Sequence, residues 1–319
     1  MTPAALALAP PPASLIAAAN AAVLGTHPSV DATLHRVRPG IYAPAQAWGD
    51  LTPWSRYLLR VHALHMVRPE GVFSHESAAA LMGLPLFCHP RHLHLFDARR
   101  DRSLSYGDVR VHTSADPRRT QTVDGIRLTS VADTVIDLGR VLPPAFGLAV
   151  ADAAMRLFGV TEDRLRTVFE HRRDGRGRKR VAWLLDRASP VAESVGESLS
   201  RAVIEWCGFP SPVLQHEHRI EGRLYRSDFC WPHERVVGES DGWQKYDEHD
   251  PAGSRDALRE EKRREDALRR DGWRVARWDY AATLGVSGIR DALRLAGLSA
   301  VRTPDATQLR AVARNPRSD

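Results

Sequence analysis

The sequence predicts a mixed α/β (α+β) chain of several domains that ends in a small α/β sandwich. Three observations carry this reading. Short alternating runs at His92-Leu93-His94-Leu95-Phe96, Val109-Arg110-Val111-His112 and Ile126-Arg127-Leu128-Thr129 read as strands set among stretches of helical period. In the last third the order is helix, strand, strand, helix, strand. With 319 residues, 43% hydrophobic and 26% charged, the chain has a globular composition and room for two or three domains.

Composition narrows the classes. A balance of 45 Lys+Arg against 39 Asp+Glu gives a net charge of +6, which suits a polyanion partner, although Arg-rich composition alone gives the same sign. Cys88, Cys207 and Cys230 are odd in number, far apart and in no metal-ligand spacing. They read as small core residues of a chain in the reduced cytoplasm. The apolar stretch from Ala4 to Val23 has no basic start and is broken by Pro10-Pro11-Pro12, which argues against a signal peptide. No apolar run reaches the roughly 18 residues of a membrane span, so no membrane role is expected.

Along the chain, residues 1–12 read as a disordered leader and Leu15 to Leu24 as an Ala-rich helix. Leu34 to Tyr42 reads as strand, turn and strand, so residues 1–70 have the outline of a winged-helix-like DNA-binding region. Trp54 to Met66 is helical, with Trp54, Leu58, Val61 and Leu64 on one stripe. Ser74, followed three residues later by Ser77, reads as the N-cap of a helix that Gly83 stops. Ser130 caps the helix from Val131 to Leu138, and Pro143 to Phe158 supplies the next, completing a middle domain over 71–170. The Gly-broken basic run from Arg172 to Arg180 makes 171–189 a linker, with phosphate contact as the alternative. A last folded domain spans 190–297, and 298–319 is expected to be a mobile tail.

The run from Ser227 to Gly242 is the most informative. It reads as an aromatic-rich strand, a Pro-bearing turn and a Val-rich strand. A turn centred between His233 and Glu234 sets Trp231 against Val236 and Asp228 against Glu239. Side chains directly opposed on paired strands have Cβ atoms roughly 4.5–5.5 Å apart, where like charges repel. Period-2 alternation puts Asp241 on the face of Glu239. A divalent cation held by Asp228, Glu239 and Asp241 would account for three acids on one patch; the alternative is surface acids paired with Arg226 and Arg235. Trp231, Trp273 and Trp278 read as core, and the Glu260 to Glu265 stretch as a solvated helix face.

The motifs Glu197-Ser198-Leu199-Ser200-Arg201, Asp228-Phe229-Cys230-Trp231, Glu239-Ser240-Asp241-Gly242, Glu261-Lys262-Arg263-Arg264-Glu265-Asp266 and Gly272-Trp273-Arg274-Val275-Ala276-Arg277-Trp278 come in an order that resembles the restriction-endonuclease-like fold. Within this PD-(D/E)XK superfamily the likeness is to the branch related to very-short-patch-repair endonucleases, and it covers about 190–297. The resemblance implies a DNA endonuclease that uses Mg²⁺ or Mn²⁺, with Asp228 and Glu239 as ligands and Glu197 completing the site. The family pattern wants a Lys where this chain has Asp241. Lys245 is the expected substitute, with Lys262 a poorer one, and His249 is the nearby His that related enzymes would suggest. On this reading Arg263 and Arg264 could touch the phosphate backbone.

Arg38-Pro39-Gly40-Ile41-Tyr42-Ala43-Pro44 and Leu128-Thr129-Ser130-Val131-Ala132-Asp133-Thr134-Val135-Ile136-Asp137-Leu138 are similar to AbiEi antitoxin-like proteins, although Asp133 stands where that family usually has Arg. This second resemblance implies a non-enzymatic transcriptional regulator, acting at a toxin–antitoxin operator and keeping a degenerate nuclease fold. His75 in Ser74-His75-Glu76-Ser77 has no accompanying nucleophile or ligand motif and reads as structural.

Overall fold

A computed structural model describes residues 6–23, 28–241 and 251–318, without the side chains of 21–23 and 251–259. It comprises two compact units: Met1–Leu142 with Leu157–Asp186 and Asn315–Asp319, and Pro143–Arg156 with Arg187–Arg314. Among the described residues no helix is long and apolar enough to cross a membrane.

The first unit opens with β1 (Ile16–Ala17), α1 (Ala18–Val23), β2 (Leu34–Arg38) and β3 (Ile41–Pro44), in a small antiparallel sheet of order β1-β3-β2. The expected helix from Leu15 therefore begins as a strand, because Ile16 and Ala17 pair with Tyr42 and Ile41. Nor is Ala9 in the expected leader without contacts: its N–H donates to the Leu81 carbonyl at 2.7 Å, and its carbonyl lies 2.9 Å from His62 Nε2. After α2 (Ala45–Asp50) comes α3 (Pro53–Val67), with Pro at its start and Thr52 accepting from Ser55 N. The buried stripe of α3 starts at Tyr57 and runs through Val61 and Leu64; Pro53 and Trp54 before it are exposed, Trp54, expected in the stripe, at 48%.

Next come β4 (Val72–Phe73), α4 (His75–Met82), β5 (Leu93–Phe96), β6 (Leu104–Tyr106), β7 (Val109–His112), β8 (Thr120–Val123) and β9 (Ile126–Thr129). The strands make a mixed sheet of order β6-β7-β5-β4-β9-β8. Helices α5 (Val131–Val141), α7 (Glu162–Glu170) and α8 (Arg178–Leu185) complete the unit, and α6 (Pro144–Phe158) lies between α5 and α7 in sequence. Ser130 caps α5 as expected, accepting from Asp133 N at 3.2 Å. Arg172, expected in a solvated linker, is buried and ion-paired with Asp133, while α8 occupies Arg178–Leu185 of that stretch. A guanidinium with a carboxylate and the Pro117 carbonyl to bond can be buried where a lysine could not.

Helix α4 is buried throughout, and its start departs from the expected capping. Ser74 Oγ bonds the His75 ring at 3.1 Å, and Ser77 Oγ accepts from His94 N at 2.8 Å and bonds Tyr57 OH at 2.9 Å. His75 has φ +49° and stacks on His112 at 4.0 Å; His94 Nδ1 lies 2.8 Å from His112 Nε2. Asn315, Arg317 and Ser318, in the expected mobile tail, bond into this unit, with Arg317 bidentate to Glu76. Burial alone would raise the Glu76 carboxyl, but the His94 ring and the Arg317 guanidinium hold it at about 2. Burial, outweighing the Glu76 charge, lowers His94 to about 3; burial and Arg317 bring His112 to about 4.

The second unit contains α6 up to Arg156, α9 (Val195–Trp206), β10 (Val213–Ile220), β11 (Arg223–Trp231), β12 (Val236–Asp241), α10 (Pro251–Arg270), β13 (Arg274–Asp279), α11 (Tyr280–Leu284), α12 (Ser287–Leu295) and α13 (Ala306–Ala311). Its sheet has the order β10-β11-β12-β13, with β12 and β13 parallel and joined by α10. The sequence reading lacked β10 and the helices α11, α12 and α13; the helix, two strands, helix and strand that it named fall in the expected order. The predicted hairpin register holds at Trp231↔Val236 and continues to Phe229↔Gly238. Trp231 and Trp278 are buried, the latter donating to Ser200 Oγ at 2.8 Å, while Trp273 is half-buried. Cys207 and Cys230 are buried as expected; Cys88 is exposed.

Three tests follow from this packing. A methyl group at Gly238 would lie 2.6 Å from the Trp278 ring, so Gly238→Ala should cost about 1–3 kcal/mol in denaturant unfolding, by overpacking. An effect near zero would show that Trp278 can shift freely. In the first unit, His94 and His112 titrate below the ordinary imidazole, so the unfolded state binds more protons as pH falls. Their stabilisation is complete above about pH 6.5 and is lost as pH falls towards 4 and then 3. Arg317→Ala, which strands the buried Glu76, should destabilise by about 3–5 kcal/mol at neutral pH. Wild-type-like unfolding of that variant would remove Arg317 from the fold's support.

Candidate functional site

The acids singled out by the sequence come from three elements of the second unit. Glu197 sits in the first turn of α9, where Ser194 accepts from Glu197 N at 3.1 Å as N-cap. Its carboxylate turns back past the cap to accept from Glu193 N at 3.0 Å. The same Oε2 accepts from Gln215 Nε2 at 2.8 Å, and this amide also reaches Asp228 Oδ1 at 3.4 Å. Gln215 thereby links Glu197 to Asp228. It stands at φ +50° where the β10–β11 ladder is interrupted, between the pairs Leu214↔Phe229 and His216↔Ser227.

Asp228 Oδ2 accepts from Ser240 N at 2.8 Å, which fixes the Asp228 carboxylate beside the strand that bears Glu239. Gly196 permits the start of α9 to approach here, since a Cβ on it would lie 2.9 Å from Ser240 Oγ. Glu239 is only 3% exposed and pairs with Arg264 of α10 at 3.0 Å. Across the parallel pair, Glu239 is in register with Arg277 and Asp241 with Asp279. Arg277 bonds Glu261 at 2.7 Å and approaches Glu265 at 3.5 Å. Burial would lower its pKa, but the carboxylates of Asp241, Glu261, Glu265 and Glu239 raise it instead. The site is a set of acids, Glu197 and Glu239 buried and Asp228 and Asp241 half-buried, with two built-in guanidinium groups.

Asp228, Glu239, Glu197 and Asp241 are thus gathered around the same end of the sheet, but they do not form a tight trio. Among the described residues, the group whose three ligand atoms all lie within 4.8 Å of one another is His216, His218 and Cys230. The alternative pairings with Arg226 and Arg235 are not what these arginines make: Arg226 bonds Glu193 at 2.7 Å, and Arg235 pairs with Asp271 at 3.2 Å. Lys245 and His249 lie outside the described residues. Lys262 and Arg263 are exposed, while the neighbouring Arg264 turns into the site. Sequence reasoning missed Gln215 and Arg277, and it did not separate Arg264 from Arg263. The alternation around Val275 and Arg277 was the available signal for Arg277; for Gln215 there was none without β10. Carboxylate oxygens are the donor type that a hard divalent cation takes.

Two uncharacterized proteins of Mycobacterium tuberculosis, MT2308 and Rv2248, are each 33% identical to this chain over 158 residues, 49% of its length. The match spans 56% of each relative, so it covers about half the length of these curated relatives. No family model matches the chain, and no solved structure matches it.

Proposed function

We propose that the second unit is a metal-dependent DNA phosphodiesterase of endonuclease type. The observation that carries this reading is the linkage of Glu197 to Asp228 through the Gln215 amide, with Asp228 held by the N–H of Ser240, the residue that follows Glu239. It joins one helix and two central strands at the positions where the sequence expects the ligands. Asp228 and Glu239 are the residues suited to hold Mg²⁺ or Mn²⁺, with Asp241 alongside. The bound ion would supply electrophilic activation of the scissile phosphate and lower the pKa of water.

The chain's own groups have separable roles on this reading. Gln215 orients both Glu197 and Asp228, and the Ser240 N–H keeps one Asp228 oxygen from rotating away. Arg264 sits where a cation can meet the charge that grows on the phosphate, and it takes the role expected of Lys245. Arg277 supplies a positive charge among the remaining acids. Two observations favour a second reading: Arg264 already pairs with Glu239, and Asp241 stands where a Lys is expected. In that case the unit is a DNA-binding scaffold of antitoxin-regulator type that does not cut.

A plasmid-nicking assay separates the two. Wild type should nick supercoiled DNA with Mg²⁺ or Mn²⁺, Asp228→Ala should abolish this, and Gln215→Leu should reduce it by about 10–100-fold, as for loss of an outer-shell partner. Failure of wild type on supercoiled, linear and single-stranded DNA with both ions, or full activity in Asp228→Ala, would refute the enzyme reading. Retained DNA binding in that event would support the regulator.

A further inference from the structure

On β10 and β11, next to the carboxylates, two imidazoles and a thiol come together in a way that neither spacing nor the proposed function requires. His216 and His218 are two residues apart on one strand, and Cys230 belongs to its antiparallel neighbour. Their ligand atoms all lie within 4.8 Å of one another. We propose that His216, His218 and Cys230 bind one Zn²⁺ ion that clasps β10 to β11.

The donor set selects the metal. Two imidazole nitrogens and a thiolate suit Zn²⁺, whereas Mg²⁺ and Mn²⁺ prefer the carboxylates already described. Tetrahedral Zn²⁺, with bonds of about 2.0–2.3 Å, needs its ligand atoms roughly 3.3–3.7 Å apart. From the observed spacing this takes an inward movement of about an ångström, within reach of side-chain rotation. His216 is half-buried, where the other two ligands are buried, and is the one placed to make it.

The surroundings are those of a built site. His218 is 4% exposed and Cys230 0%, and Cys230 packs in a dry cluster with Ile220, Val237, Ala267 and Leu268. Ser227 Oγ lies 2.8 Å from His218 Nε2, and the Trp273 ring packs edge-on at 4.7 Å. A hydroxyl partner on the imidazole is the outer-shell support that metal-bound histidines usually have.

The position also gives the ion a purpose. The β10–β11 ladder is interrupted at Gln215, and the proposed ligands flank the gap: Cys230 is paired with Val213 before it, and His216 with Ser227 after it. A metal clasp there holds together the two strands that carry Gln215 and Asp228. The inference does not rest on nuclease activity.

Co²⁺ titration of the chelator-treated full chain tests it. Wild type should saturate near one equivalent, with tetrahedral d–d bands and a thiolate-to-Co²⁺ charge-transfer band, and Zn²⁺ should displace the Co²⁺. Cys230→Ser should lose the charge-transfer band. His216→Gln, at the half-buried ligand, should weaken Zn²⁺ binding by more than the roughly 10–100-fold that loss of an outer-shell partner costs. Circular dichroism verifies that both variants fold. Absence of Co²⁺ uptake by wild type at micromolar concentration, or persistence of the charge-transfer band in folded Cys230→Ser, overturns the site. Co²⁺ on carboxylates gives no thiolate band, so failure here and failure of the nuclease reading are read separately.

Discussion

Burial of the Glu239 carboxylate on a central strand is the constraint from which the second unit is organised. With β11 on one side and β13 on the other, Glu239 is 3% exposed, and a charge there is costly unless another charge meets it. Arg264 meets it from α10, and Arg277 stands in register with it on β13. Because β13 is parallel to β12, the chain must cross over between them, and α10 is that crossover. The helix that delivers Arg264 also brings Ala267 and Leu268 onto the sheet beside Cys230 and Val237. Compensation of the acid and closure of the core are therefore tasks of one helix.

This coupling bears on what the site can do. Arg264 gives Glu239 a partner in the structure as it stands, yet a divalent cation would compete for the same oxygens. If a cation binds, the freed guanidinium stays close to any bound phosphate, where a positive charge stabilises developing negative charge. If none binds, the same ion pair is a structural substitute for the metal. The proposed nuclease and the proposed regulator thus differ in which cation holds Glu239, and both are compatible with the same sheet.

Much of this was legible in the sequence, and the exceptions have physical causes. The hairpin register could be read because Trp231 and Val236 flank a Pro-bearing turn. The cap at Ser130 could be read because a short polar side chain precedes an apolar helical run. Strand β10 escaped because its middle, Gln215-His216-Glu217-His218, is polar and its alternation breaks at a residue with positive φ. With it went Gln215 and both histidines. Arg264 and Arg263 look alike in sequence, and only the phase of α10 against the sheet distinguishes them. Arg172 and Arg317 lie in stretches that composition marks as solvated, but their partners Asp133 and Glu76 are 39 and 241 residues away. Pairings that distant leave no local signature.

The most direct measurement is a crystal of the full chain soaked in Mn²⁺, with anomalous scattering used to place the ion. The account predicts a single strong peak between the Asp228 and Glu239 carboxylates, with the Arg264 guanidinium displaced from Glu239. A map with no peak there at saturating Mn²⁺, and Arg264 still bonded to Glu239, would contradict it.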